Sequence, residues 1–101
     1  MYLPNTDYEL QTTFWMDFSI ADHFGPAAVQ DTFDRAFAEW KDNCAYLTEL
    51  VMVLNHKLWQ WYNSGRSDMA EMYNKLYGEA DTYAQEHLTG EEADYYYRTT
   101  D

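Results

Sequence analysis

The sequence predicts an all-α fold, a compact bundle of three main helices joined by a shorter N-terminal helix and a short C-terminal one, on three observations. First, the longest apolar segment, YLTELVMVLNHKLWQWY over residues 46–62, has a helical period: Leu47, Val51, Leu54, Leu58 and Trp61 step by four, three, four and three. Second, the segments on either side of it are amphipathic at the same period. Third, Gly-Pro and Asn-Ser-Gly punctuation falls between the periodic stretches, where helices must stop and start.

Taken in order, Thr6 and Glu9 have the spacing of a capping box, and Leu10, Phe14 and Phe18 then share one helical face. A helix over residues 7–18 follows. Phe14, Met16, Phe18 and Ile20 also alternate as in a strand, which leaves residues 12–20 open to a second reading; that reading exposes Trp15 and finds no hairpin partner. Ser19 suits the cap of a single turn over residues 20–24, closed by Gly25-Pro26.

Beyond Pro26, the series Val29, Phe33, Ala36, Phe37 and Trp40 is apolar while Asp31, Asp34, Arg35 and Glu39 face away, predicting a helix over 26–41 with Asp31 and Arg35 paired one turn apart. Asp42 and Asn43 favour caps over helix interiors and begin the central helix, 43–63. Leu50 and Tyr62 widen its stripe; Met52, Val53 and Trp59 lie off it. Such a helix needs neighbours on more than one side, and Leu54 is expected among the most buried residues. Ser67 is the expected N-cap of a helix over 67–88, with Met69, Met72, Tyr73, Leu76, Ala80, Tyr83 and His87 inward and Glu71, Lys75 and Glu79 outward. Thr89 and Glu92 repeat the capping-box spacing before a last helix carrying Tyr95, Tyr96 and Tyr97.

All 101 residues read as one domain, long enough to bury roughly 65% of the unfolded surface without a metal or disulfide staple. At 47% hydrophobic and 19% aromatic, the composition is far from that of a disordered chain. The single cysteine, Cys44, has no internal disulfide partner, and the opening MYLPNTDYEL has no signal-peptide pattern, so a cytoplasmic address is expected. The longest apolar run, residues 50–54, is far short of a membrane span.

Net charge is −12 and unevenly placed: residues 1–34 and 76–101 each carry −6, while the middle balances. Direct nucleic-acid binding wants a basic footprint, and anionic membranes repel such a chain; both are excluded. The stretch YLTELVMVLNHKLWQWY and the ending YYYRTTD resemble a group of short uncharacterised proteins from gut Firmicutes and their mobile elements. That resemblance implies a mobile-element context and no activity, ligand or catalytic residue.

No catalytic residue, cofactor motif or metal site emerges. His23, His56 and His87 each lack the carboxylate three residues earlier that a Glu-x-x-His metal pattern needs, and the four glycines are too scattered for a phosphate loop. Cys44 lies among Asp42, Asn43 and Ala45, surroundings that disfavour a thiolate, and reads as a small buried filler. The aromatics exceed what a core of this size requires, so Trp15, Trp59, Tyr95, Tyr96 and Tyr97, with the acids Glu91, Glu92 and Asp94, are the candidate partner-binding residues. The function read from sequence is a non-catalytic, acidic protein-interaction module that binds a protein partner or a second copy of itself. Two alternatives stand beside it. One is a DNA-mimic inhibitor of a nucleic-acid-binding protein, which requires Asp7, Glu9, Asp17 and Asp22 to gather with Glu86, Glu91, Glu92 and Asp94 into one or two surfaces. The other is a small enzyme whose histidines and carboxylates converge only in three dimensions.

Overall fold

The structure, a computed structural model, describes the backbone of residues 7–100 and the side chains of residues 14–100. Five helices follow one another: α1 (Asp7–Asp22), α2 (Pro26–Trp40), α3 (Cys44–Asn63), α4 (Ser67–His87) and α5 (Gly90–Thr100), with no strand among the described residues. The capping box at Thr6 and Glu9 and the packing of Leu10 lie outside the described residues.

α3 packs against all four other helices, most extensively against α4, and so occupies the hub position. Its expected stripe is buried at Leu47, Val51 and Leu54 and half-buried at Leu58 and Trp61, while Leu50 and Val53 widen the buried arc. One contiguous core then joins Phe14, Phe18 and Ala21 of α1, Val29 and Phe33 of α2, Met69, Tyr73, Leu76, Ala80 and Ala84 of α4, and Tyr96 of α5 to that stripe. Tyr62, expected on the stripe, is exposed and sets its ring edge-on to Trp59, while Trp61 beside it takes the half-buried position. His87, expected inward on α4, is exposed and stacks on Tyr83.

Three local readings change. α1 continues without a break to Asp22: the Ser19 hydroxyl accepts a hydrogen bond from Lys57 rather than capping a new turn, and residues 20–24 are the end of α1 and its exit turn. The strand alternative for 12–20 falls with it. Ser67 is not the cap of α4, since the ladder begins one residue earlier with Ala70 N–H donating to the Arg66 carbonyl, and Arg66 instead pairs with Asp68. Arg35 turns its Nε to the Asp31 carbonyl at 3.5 Å instead of to the carboxylate.

Other punctuation behaves as expected. Asn43 caps α3, its Oδ1 accepting from Tyr46 N–H at 3.1 Å. Gly25 links α1 to α2 at φ 100°, a conformation that a residue with a Cβ avoids, and Pro26 opens α2. This short link makes α1 and α2 a helical hairpin. α1 packs on α3, and α2 on α4 and α3.

Candidate functional site

α1 divides its side chains by register. Phe14, Phe18 and Ala21 enter the core, and Trp15, Ser19 and Asp22, one position further round, meet α3 and α4. There they enclose Lys57, only 2% exposed. Its Nζ lies 2.9 Å from both the Asp22 carboxylate and the Ser19 hydroxyl, and 4.2 Å from the centre of the Trp15 ring. The other Asp22 oxygen accepts from the Tyr73 hydroxyl at 2.6 Å. Burial, together with that carboxylate, pushes the Tyr73 hydroxyl far above its usual range. Ion pair, hydroxyl and ring thus satisfy a charge that water barely reaches. The network ties α1, α3 and α4 together, and none of its side chains lines the clefts described below.

The third face of α1 carries Met16 and Ile20, and Phe24 in the exit turn continues their spacing of four; the three are 56%, 58% and 78% exposed. Beside this ridge, a cleft of about 660 Å³ runs between α1 and α2. Its floor is small, with Ala21, Ala28 and Ala36; Ile20 and Phe24 form one wall; Phe14 and Trp40 close the end away from the Gly25 turn. That end is rigid, because Trp40 stacks on Tyr46 at 4.0 Å and Phe14 meets the same ring edge-on at 6.1 Å. Asp17, Asp31 and Glu39 edge the cleft, with Arg35 as the one basic side chain lining it.

The aromatic and acidic residues singled out from sequence do not form one patch. Trp15 is half-buried over Lys57, and Tyr95 and Tyr96 are buried, which corrects the expectation of a surface role for these three. The reason is the pitch of α5, which lies between α3 and α4 and turns two successive tyrosines inward. The Tyr96 hydroxyl donates to Asp81, and burial with that carboxylate raises its pKa. Trp59 and Tyr97 are exposed, on different helices, with Trp59 set edge-on to Tyr62. Glu91 and Asp94 are exposed and Glu92 is half-buried, its backbone carbonyl facing the Cys44 thiol at 3.5 Å.

Nor do the two acidic ends meet among the described residues: α1 packs on α2 and α3, α5 on α3 and α4. Asp22 is taken up inside, and the side chains of Asp7 and Glu9 lie outside the described residues. His23, His56 and His87 are each exposed and on different elements; a smaller cleft of about 240 Å³ holds His56 with Asn55, Tyr77, Thr99 and Thr100. No cluster of three or more His, Cys, Asp or Glu side chains placed to hold a metal occurs among the described residues. Cys44 is buried, and burial first, then the nearby Glu92 carboxylate, raises its thiol pKa, which keeps it a poor nucleophile. Among the described residues no helix is long and apolar enough to cross a membrane.

Comparison with known proteins adds no family to this geometry: no family model, curated protein or solved structure matches the chain.

Proposed function

We propose that the chain is a non-catalytic protein-interaction module that receives apolar side chains of its partner in the cleft between α1 and α2. The observation that supports this reading is the ridge Met16, Ile20, Phe24. Single exposed apolar residues are ordinary, but three large ones spaced four apart along the end of α1 and its exit turn, two of them lining the cleft, are surface that association would cover. Trp59 with Tyr62, and Tyr97 with Glu91 and Asp94, offer secondary contact surface on other faces. The reading is tested by quantitative affinity capture from cells that carry the gene, comparing the wild type with Ile20→Glu/Phe24→Glu. Both sites are exposed, so stability should change by about 0.5 kcal/mol or less per site. A protein captured in near-stoichiometric amount by the wild type and lost with the double variant is the expected result. An identical captured set for both forms would overturn the assignment of the cleft.

A further inference from the structure

We infer that the occupant of the α1–α2 cleft is an amphipathic helix with basic flanks, supplied by a different protein; this rests on the reading of the cleft as a docking surface. Length argues for a helix. The lining runs from Phe14 on α1 to Phe24 in its exit turn and from Ala28 to Trp40 on α2, which at about 1.5 Å per residue is some 15–18 Å, or about three helical turns. Backbone chemistry argues the same way. The floor and walls are side chains of two helices and the turn between them, with Ala, Phe, Ile and Trp toward the middle, and among the described residues no strand edge exists onto which an extended peptide could add. A bound segment must satisfy its own backbone, as a helix does. The alanine floor lets that helix approach closely, and Ile20, Phe24, Phe14 and Trp40 surround the aliphatic side chains it projects at i, i+3, i+4 and i+7.

Charge selects the flanks. Asp17, Asp31 and Glu39 edge the cleft against Arg35, whose Nε is already turned to the Asp31 carbonyl. Lysine or arginine beside the apolar stripe of the partner would meet these carboxylates. A second copy of the chain would not: each copy carries −12, and a two-fold contact through this face sets one acidic rim against the other.

The probe is a blocked 14-residue peptide with leucine at i, i+3, i+4 and i+7 and lysine on the flanks. Its counterpart keeps the leucines and carries glutamate in place of lysine. Binding is read by fluorescence anisotropy and located by amide chemical shifts of the full chain, alongside sedimentation of the protein alone. The lysine peptide should bind with shifts centred on Ile20, Phe24 and Ala28, should weaken progressively with salt, and should lose about thirty-fold or more in affinity with Ile20→Glu, the loss of an interface hot spot. Asp17→Lys/Asp31→Lys should reverse the preference between the two peptides. If the glutamate peptide binds as well, or the charge reversal changes nothing, the basic partner is wrong while the docking surface stands. If the protein sediments as a dimer that Ile20→Glu disperses, the surface stands and the occupant is a second copy. If neither peptide moves the cleft resonances and the protein is monomeric, both the partner and the docking surface are overturned.

Discussion

Removing one charge of the Lys57–Asp22 pair should destabilise the fold far more than removing both. Asp22→Asn preserves shape and still accepts from Tyr73, but leaves the ammonium of a lysine that is 2% exposed with a hydroxyl and a ring and no counter-charge. A buried charge stripped of its partner costs about 3–5 kcal/mol, a large share of the roughly 5–15 kcal/mol that holds a domain together. At about 4–8 °C per kcal/mol for a chain of this size, the melting temperature should fall by at least about 12 °C. Lys57→Met should cost less, about 1–3 kcal/mol, because the Asp22 side chain keeps the Tyr73 hydroxyl and, at 9% exposed, some access to water. The double variant exchanges the pair for a neutral contact and should be more stable than Asp22→Asn alone, giving a coupling energy of at least about 1 kcal/mol. Urea unfolding monitored by tryptophan fluorescence measures all four corners of the cycle, and Trp15 reports on the site directly. An Asp22→Asn cost below about 1 kcal/mol, additive with Lys57→Met, is what an exposed ion pair gives and would refute the reasoning.

The buried phenols make stability sensitive to alkali. Tyr73 is held above its ordinary pKa of 10.0, so the unfolded chain gives up this proton first; the contribution is intact below pH 10 and falls above it by about 1.4 kcal/mol per pH unit. Denaturant midpoints between pH 9 and 11.5 should show this slope, reduced in Tyr73→Phe, with Tyr96 adding in the same direction. Gly78 is helical and exposed, and a Cβ there meets nothing within 4 Å, so Gly78→Ala should stabilise by about 0.5–1 kcal/mol. Gly25→Ala is equally free of clashes, but at φ 100° it should cost about 1–3 kcal/mol; thermal melts of the two variants moving in opposite directions test both. Leu54→Asp puts an unpaired charge at a fully buried site on the hub helix, and circular dichroism should show loss of the cooperative transition.

The periodicity of residues 46–62 was enough to place α3 at the centre, because a helix that is apolar over most of its circumference has to be surrounded. Boundaries followed wherever backbone chemistry is local, as at Asn43, Ser64-Gly65 and Gly25-Pro26. What the sequence hid was long-range. Lys57 reads as one of two charges on an apolar helix, and nothing within α3 says that Ser19, Asp22 and Tyr73, 16 to 38 positions away, will enclose it. The cleft was hidden by one wrong helix end. Placing a cap at Ser19 put Met16 in one element and Ile20 and Phe24 in another, although their spacing is a second apolar stripe once α1 runs through to Asp22 and its exit turn carries Phe24. Tyr95 and Tyr96 failed differently: an excess of aromatics says that some must be exposed, but only the packing of α5 against α3 and α4 decides which.

The same register of α1 links the buried network to the exposed cleft. Phe14, Phe18 and Ala21 bind α1 to the core by area, a contact that tolerates rotation and sliding, whereas Lys57 meets Ser19 and Asp22 at defined atoms and Tyr73 fixes the second Asp22 oxygen from α4. A non-directional contact holds the helix down; a directional one sets its rotation. Rotation is what the cleft depends on, since Ile20 and Phe24 form its wall only while Ser19 and Asp22 face inward, with about 100° per residue relating one set to the other. Lys57→Met should therefore weaken binding of the lysine peptide at temperatures where the variant is still fully folded, although Lys57 lines no part of the cleft. Unchanged affinity in that variant would mean that apolar packing alone holds α1 in register.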